Sequence, residues 1–135
     1  MSKKSLKALV VEDSFINQDV ARIFLKDLDY EVVIAKTGKE AIEVFDGSYD
    51  FVLMDVGLPD IDGTEVVRLI REKEIAMNTR AIIIGETASG ESYRAACINS
   101  GMDDFLVKPI LFETLKNKLN KYEKLIKKNT KENKY

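Results

Sequence analysis

Short apolar runs alternate along this chain with stretches in which apolar residues recur every three or four positions. Such runs are typical of strands buried on both faces, and the spaced residues are typical of helices with one buried face. Each run is followed by one helical stretch, so the pattern predicts five β-strand–α-helix units. The predicted strands cover residues 6–11, 32–35, 51–54, 81–84 and 104–107.

Residues that commonly begin or end helices mark the boundaries of several predicted helices. Ser14 is placed to cap the first helix, and Thr37 forms a capping box with Glu40 before the second. Gly101 can end the fourth helix in a left-handed conformation. The apolar positions expected to face the core from the first helix are Ile16, Val20, Ile23, Phe24 and Leu28.

Strands that are apolar throughout indicate a parallel sheet covered by helices on both sides. Because crossover connections are right-handed, few strand orders remain, and we expect the order 2-1-3-4-5. The sequence therefore predicts an α/β fold, a (βα)5 flavodoxin-like three-layer sandwich with a parallel five-stranded sheet. The domain is expected to cover residues 4–125, followed by a basic, frayed C-terminal tail at 126–135.

The composition excludes several classes of chemistry. The 135 residues include one cysteine and no histidine, which rules out an internal disulfide, a zinc finger and a histidine-based catalytic triad. Cys97 is expected to be a small buried apolar group. No apolar run is long enough to span a membrane and no signal peptide is recognisable, so we expect a cytoplasmic protein.

Charge is distributed unevenly along the chain. From Thr114 onward eight lysines accompany two glutamates, whereas the preceding part is acidic. The basic end could contact nucleic acid or an acidic lipid surface. It lacks the interleaved aromatic residues that stack on bases, so we favour a solvated helix and expect no direct DNA binding.

Reactive polar side chains lie where four of the predicted strands end. Glu12 and Asp13 follow the first strand, Asp55 follows the third, Thr87 lies beyond the fourth and Lys108 follows the fifth. In the order 2-1-3-4-5 these four strands are neighbours, and ligands of such sheets bind beyond the carboxyl ends of the strands. We therefore expect three carboxylates, a hydroxyl and an ammonium to meet at one edge of the sheet.

This combination of groups favours phosphoryl chemistry. Three carboxylates a few ångströms apart repel one another unless a cation lies between them, and oxygen ligands at an exposed edge suit Mg²⁺. Lys108 and Thr87 are suited to bind phosphoryl oxygens, and Asp55, in the middle of the set, can act as a nucleophile. The set therefore predicts metal-assisted phosphoryl transfer to Asp55.

Four motifs contain these residues, namely VVEDS at 10–14, LMDVGLPDIDG at 53–63, TA at 87–88 and GMDDFLVKPI at 101–110. With these motifs the chain resembles the receiver domains of two-component response regulators over about residues 4–122. It is similar both to stand-alone chemotaxis-type receivers and to those of hybrid kinases. The resemblance implies a single-domain response regulator of a phosphorelay. Its Asp55 would accept phosphate from a phosphohistidine on a sensor histidine kinase or a histidine phosphotransfer protein.

The resemblance also implies roles for the other residues of this edge. Thr87 and Lys108 would bind the phosphoryl oxygens. The resemblance further suggests a cis bond between Lys108 and Pro109. Mg²⁺ would be held by Glu12, Asp13, Asp55 and the backbone carbonyl of Gly57.

A conformational switch is a further implication of the resemblance. Phosphoryl oxygens would draw the Thr87 hydroxyl inward, and Phe105 would turn into the space left behind. The surface of helix 4, strand 5 and helix 5 would then change its affinity for an unknown downstream protein. Phe105 is also explained as an ordinary core residue of a short buried strand.

Three departures from the family pattern affect the chemistry. Glu12 stands in place of an aspartate and lengthens the reach to a metal by one methylene. Glu86 stands where the family usually has an apolar residue, and we expect its carboxylate to face solvent. Gly57 has no side chain to shield an acyl phosphate from water, so we expect a phosphate on Asp55 to hydrolyse readily. Asp103 and Asp104 are expected to be turn and edge charges rather than ligands.

Two other functions fit the same fold class. A flavin-binding module would need free backbone N–H groups after the first strand, where this chain has Glu12 and Asp13. A metal-dependent phosphoester hydrolase would need a second acid–base carboxylate two residues after Asp55, where the chain has Gly57. Both functions are therefore less favoured than a phospho-accepting signalling module that is not an enzyme in the usual sense.

Overall fold

The computed structural model describes residues 6–88 and 90–132 of the chain, with side chains at all of these positions except Glu91 and 127–132. Strands and α-helices alternate in this part of the chain, and a 3₁₀ turn at Gly90–Tyr93 precedes the fourth helix. In chain order the elements are β1 (Leu6–Val11), α1 (Phe15–Asp27), β2 (Tyr30–Ala35), α2 (Gly38–Val44), β3 (Phe51–Asp55), α3 (Gly63–Met77), β4 (Ile82–Thr87), α4 (Arg94–Ser100), β5 (Asp104–Val107) and α5 (Phe112–Glu132).

The strands form one parallel sheet of order β2-β1-β3-β4-β5, which confirms the predicted order and the flavodoxin-like architecture. Leu25 of α1 and Leu119 of α5 pack in the core on one face of the sheet. Ala41 of α2, Ile70 of α3 and Cys97 of α4 pack in the core on the other face. Cys97 is buried, as predicted. The sheet is therefore the middle one of three layers.

The predicted capping residues are confirmed, but the capping box is only half formed, because the Glu40 carboxylate accepts a hydrogen bond from the backbone N–H of Lys36 at 3.4 Å. The Ser14 hydroxyl accepts a hydrogen bond from the backbone N–H of Asn17 at 3.4 Å, and the Thr37 hydroxyl accepts one from the N–H of Glu40 at 3.0 Å. Gly101 follows α4 with a φ of 112°, in the left-handed region that favours glycine. These helix boundaries are therefore set by residues within a few positions of each end.

The inward face of α1 differs from the predicted one. Ile16 and Ile23 are 76% and 64% exposed, and the other three predicted positions are half-buried. Gln18 and Leu25 lie on the buried stripe instead. Gln18 is tolerated there because its side-chain amide donates a hydrogen bond to the backbone carbonyl of Glu12 at 2.7 Å. The prediction was wrong for the two exposed isoleucines, whereas two of the half-buried positions pack against the core as expected. It followed the apolar residues and did not allow for a buried, hydrogen-bonded glutamine.

Side chains from α3 and the loop before it hold both ends of α2. The Asp60 carboxylate accepts hydrogen bonds from the backbone N–H groups of Gly38 and Lys39, each at 3.0 Å. At the opposite end of the helix, the Lys73 ammonium donates to two backbone carbonyl oxygens at 2.6 and 2.8 Å. These contacts satisfy backbone groups that every helix leaves unpaired at its ends.

An ion-pair network joins α3 to the start of β4. The Arg71 guanidinium contacts the carboxylates of Glu74 and Asp103 at 2.7 and 2.9 Å. It also donates hydrogen bonds to the backbone carbonyls of Ala81 and Gly101 at 2.8 and 3.0 Å. Asp103 therefore lies in the predicted turn and, in addition, ties that turn to α3.

Helix α5 continues to Glu132, past residue 125, where the sequence predicts the end of the domain. The predicted boundary is therefore not marked by the end of the helix, and the division at this point stays a prediction. Residues 133–135 of the predicted tail lie outside the described residues. Among the helices described here, none combines the length and the apolar character needed to cross a lipid bilayer.

Candidate functional site

The side chains on one face of three neighbouring strands change from apolar to acidic at the carboxyl edge of the sheet. Val10, Leu53 and Ile84 are neighbours in register and belong to the core under α1 and α5. Because side chains on a strand alternate between faces, the next residue on the same face lies two positions further along. Those residues are Glu12, Asp55 and Glu86. A row of carboxylates therefore borders the core.

Three acids of this edge form a compact cluster. Carboxylate oxygens of Glu12, Asp13 and Asp55 lie within 4.8 Å of one another, with Asp13 exposed and the other two buried. Glu12 Oε2 accepts a hydrogen bond from the backbone N–H of Ser14 at 3.1 Å. Burial raises the pKa of Glu12 to about 7, with the Ser14 N–H opposing this rise and Asp55 adding to it. The cluster is therefore short of positive charge.

Lys108 supplies a cation to this cluster. Its Nζ lies 3.0 Å from Asp55 Oδ1 and 3.5 Å from Glu12 Oε1. Burial by itself would lower the pKa of Lys108, but the hydrogen bond to Asp55 and the nearby carboxylates outweigh it and the net shift is upward. The backbone N–H of Lys108 donates to the carbonyl of Thr87 at 2.9 Å, and the Lys108–Pro109 bond is cis.

The loop after β3 packs closely around Asp55. The backbone N–H of Gly57 donates to Asp55 Oδ1 at 3.0 Å. Gly57 is exposed, and a β-carbon there would lie 3.8 Å from that oxygen, so the space above the carboxylate is open on this side. A β-carbon at Gly63 would lie 2.6 Å from the backbone carbonyl oxygen of Asp55, so only glycine allows α3 to begin this close to the site.

Thr87 and Phe105 occupy adjacent strands next to the acidic edge. Thr87 is the last residue of β4 and is buried, and Phe105 is buried two positions before Val107, which pairs with Thr87. The Arg94 guanidinium lies 5.4 Å from the centre of the Phe105 ring. A surface cleft of about 370 Å³ is lined by Phe105 and by residues of α4, β5 and α5. These two side chains therefore lie between the acidic edge and the surface of α4, β5 and α5.

The Glu86 side chain does not face solvent, and that prediction is wrong. β4 extends to Thr87 instead of ending at residue 84, so Glu86 keeps the alternation of the strand and pairs in register with Asp55. Glu86 is 3% exposed, and burial raises its pKa to about 8, with nearby carboxylates adding to the rise. The spacing of two residues from Ile84 is the signal in the sequence that places this side chain inward.

The architecture and the arrangement of the acidic edge agree with a comparison of the sequence with known families. A family model described as the response regulator receiver domain matches residues 8–120. The chain belongs to this family. As a receiver domain, it is a module of two-component signalling.

Relatives of this receiver domain include both hybrid kinases and a small regulator. It is 37% identical over 120 residues to hybrid signal transduction histidine kinase A of Dictyostelium discoideum, a match that covers 86% of this chain and 6% of that protein. It is 31% identical over 123 residues to two-component response regulator 24 of Arabidopsis thaliana, covering 90% of this chain and 86% of that protein. The chain therefore spans a small fraction of the hybrid kinase and most of the plant regulator.

Solved structures of other receiver domains share the fold. The receiver domain of the sensor histidine kinase PA1611 from Pseudomonas aeruginosa, which has a magnesium ion coordinated in its active-site cleft, is 34% identical with a TM-score of 0.77, covering 87% of this chain and 97% of that one. The receiver domain of the response regulator Ssk1 from Saccharomyces cerevisiae, solved with the histidine phosphotransfer protein Ypd1, is 29% identical with a TM-score of 0.79. That match covers 87% of this chain and 88% of the other.

Proposed function

We propose that this receiver domain accepts a phosphoryl group on Asp55 from a phosphohistidine of a partner protein. The observation that carries the proposal is the buried Asp55 carboxylate, which lies beside Glu12 and Asp13 and 3.0 Å from the Lys108 ammonium. In the transfer, an Asp55 oxygen forms a bond to phosphorus while the bond from phosphorus to the imidazole nitrogen breaks, and that nitrogen keeps the electron pair. Lys108 and Thr87 bind the phosphoryl oxygens through hydrogen bonds.

We propose Mg²⁺ as the cofactor of this site. Carboxylate and carbonyl oxygens are the ligands that Mg²⁺ prefers. Glu12 Oε1 is buried and accepts no hydrogen bond in the described part of the chain, and the Lys108 ammonium that faces it at 3.5 Å is shared with Asp55, so a divalent cation would complete its charge balance. When bound, the ion supplies charge that stabilises the phosphoryl oxygens during transfer. The magnesium ion in the cleft of the PA1611 receiver domain supports this choice of ion. The ligands on this chain would be Glu12, Asp13, Asp55 and the backbone carbonyl of Gly57.

The phosphorylated chain returns to its starting state by hydrolysis. A water oxygen attacks phosphorus and the bond to the Asp55 oxygen breaks, which yields inorganic phosphate and the free carboxylate. The open space beside Gly57 gives water access to this reaction. The chain therefore acts as a phospho-accepting module that promotes its own phosphorylation and dephosphorylation, and not as an enzyme that turns over an external substrate.

Phosphorylation would alter the surface formed by α4, β5 and α5. A phosphoryl oxygen bound to the Thr87 hydroxyl draws that side chain toward Asp55, and Phe105 turns into the space left behind. Phe105 lines the cleft between these elements, so its movement changes the shape of that surface. A downstream protein would detect this change through its affinity for the surface.

We also propose a cytoplasmic location, on the basis of the sequence alone.

The direct test of phosphoryl acceptance uses acetyl phosphate and Mg²⁺ with the full chain. We expect the intact mass to rise by one phosphoryl group and peptide mapping to locate that group in residues 51–63. Chelation of the metal is expected to prevent the reaction, and the group is expected to disappear once the donor is removed. Incorporation on another segment, or equal incorporation without a divalent metal, would contradict the proposal.

The exposed apolar residues of α1 suggest where the phosphohistidine donor docks. Phe15 and Ile16 are 71% and 76% exposed at the start of α1, directly after the acidic segment that contains Asp13, and Ile23 continues the patch along the helix. Exposed apolar side chains that cluster on a surface commonly mark an interaction site. The Ssk1 receiver domain, solved in complex with Ypd1, supports a histidine phosphotransfer protein as the partner.

Ile16→Asp tests this docking surface. With a histidine phosphotransfer protein that phosphorylates the native chain, we expect the variant to be phosphorylated at least about tenfold more slowly, because a charge replaces a buried apolar contact in the complex. The rate with acetyl phosphate should be unchanged. Ile98→Asp is the matched control, since Ile98 is an exposed isoleucine on α4. Equal slowing by both variants would argue against a docking site on α1.

A further inference from the structure

A charged side chain covers the ring of Phe105. Phe105 is 7% exposed, although β5 is the edge strand of the sheet. The Arg94 guanidinium lies over the ring, 5.4 Å from its centre, which is within the distance at which a cation is attracted to an aromatic face. Arg94 is itself exposed at the first position of α4, and both residues line the same surface cleft. The guanidinium therefore separates the ring from solvent.

The other surroundings of the ring limit where it can turn. Phe105 pairs in register with Gly85 and Val107 pairs with Thr87, so the Phe105 and Thr87 side chains project from the same face of the sheet. Gly85 has no side chain, but a β-carbon there would lie 2.4 Å from Met102 Sδ, so Met102 fills that space. The direction left for an inward turn of the ring is therefore toward Thr87.

We propose that Arg94 is a positioning residue that holds Phe105 in its present position and thereby opposes the switch. The proposal rests on the proposed function, in which a phosphoryl oxygen draws Thr87 toward Asp55 and Phe105 follows. When the ring turns toward Thr87, it moves away from the guanidinium and the cation–π attraction is lost. The interactions of the phosphoryl group have to offset this loss, so Arg94 lowers the apparent affinity of the site for that group.

The sign of this effect separates positioning from simple electrostatics. A phosphoryl group is an anion, and attraction by the Arg94 charge alone would strengthen its binding. Removal of the charge would then weaken the binding of any phosphoryl mimic. A restraint on Phe105 has the opposite consequence, because removal of Arg94 frees the ring and strengthens binding.

The first experiment measures the binding of beryllofluoride, which mimics a phosphoryl group and binds without a transfer step. Calorimetric titration of the full chain at saturating Mg²⁺ is expected to show about three- to tenfold tighter binding by Arg94→Gln than by the native chain. Arg94→Lys keeps a cation and is expected to stay closer to the native affinity. Arg68→Gln is the matched control, since Arg68 is an exposed arginine of α3 that pairs with Glu65, and it should bind beryllofluoride like the native chain.

Two further measurements assign the effect to the ring. In a Phe105→Leu background, Arg94→Gln should not change the affinity for beryllofluoride, because the guanidinium then has no aromatic ring to hold. The ring NMR signals of Phe105 are identified by their absence in Phe105→Leu. In Arg94→Gln without ligand, we expect them to shift toward their positions in the native chain bound to beryllofluoride. Thermal unfolding of each variant verifies that it is folded.

The possible results are distinct. Tighter binding by Arg94→Gln that disappears in the Phe105→Leu background supports the proposal. An affinity equal to or weaker than that of the native chain overturns it, and so does equal tightening without the Phe105 ring, which would place the action of Arg94 elsewhere. If the native chain binds no beryllofluoride in the presence of Mg²⁺, the proposed function itself has failed, and this inference fails with it.

Discussion

Asp55→Asn is expected to abolish phosphoryl incorporation from acetyl phosphate, a loss of at least about 100-fold in rate. Asparagine has nearly the same shape as aspartate, but its amide oxygen is a poor nucleophile and it carries no charge. Asp55 is the last residue of the buried strand β3, and its carboxylate is held by the Gly57 N–H and by the Lys108 ammonium. The variant therefore keeps the geometry of the site and loses only its reactive oxygen and its charge.

The same variant is expected to keep or increase the thermal stability of the fold. Asp55 is one of several carboxylates gathered at the acidic edge, and removing its charge reduces repulsion while Lys108 still pairs with Glu12. Asp60→Asn is the matched control, because Asp60 is an exposed carboxylate in the same loop, outside the acidic cluster. It should be phosphorylated like the native chain. Undiminished incorporation in Asp55→Asn would show that another carboxylate accepts the group.

Arg71→Met is expected to lower the free energy of unfolding by about 3–5 kcal/mol, which is a large part of the stability of a typical domain. Arg71 neutralises the buried carboxylate of Glu74 and contacts Asp103 across two elements. Its loss leaves a buried charge without its ion-pair partner, and this costs more than the pair itself contributes. Urea denaturation, followed by circular dichroism, measures the effect.

Two comparisons make the Arg71 result specific. Arg68→Met, on the same helix, removes an ion pair with Glu65 between two largely exposed side chains and should cost no more than about 1 kcal/mol. Combining Arg71→Met with Glu74→Leu should recover part of the loss, because the unpaired buried charge is then removed. If Arg71→Met and Arg68→Met lower the free energy of unfolding equally, the network at the start of β4 stabilises the fold no more than an exposed ion pair does.

The sequence was sufficient to predict the strands and the capping residues because both depend on local patterns, whereas the strand order came from the few orders that right-handed crossovers allow. Apolar runs mark buried strands, and Ser14, Thr37 and Gly101 satisfy helix ends within a few residues of their own positions. The convergence of acids at one edge followed from the strand order, since the carboxyl ends of neighbouring parallel strands are adjacent. Roles for individual residues of that edge stay proposals, to be tested by the variants above.

Two predictions failed because they inferred from the residue type alone whether a side chain points to the core or to solvent. Glu86 was expected to be exposed because it is charged, yet the alternation of β4 places it inward. Ile16 was expected to be buried because it is apolar, yet the buried stripe of α1 includes Gln18 instead. In both cases the regular geometry of the element overrides the preference of a single side chain.

The Arg71 network had no signal in the sequence. Arg71 and Asp103 are separated by 32 positions, and charged residues at such distances pair only once the fold has brought them together. Composition and periodicity describe neighbours along the chain, so contacts of this kind become visible only in the structure. The same limit applies to Asp60, which caps a helix that precedes it by 22 positions.

The two ends of strand β4 have different roles, since one end is anchored to neighbouring elements and the other borders the acidic edge. Near its start, Arg71 and Asp103 fix the strand to its surroundings through the carbonyl of Ala81 and the N–H of Ile83. Near its far end, Glu86 and Thr87 stand beside a concentration of like charges. Substitutions at the far end could therefore change the reactivity of the site, while the contacts at the start of the strand keep β4 in place.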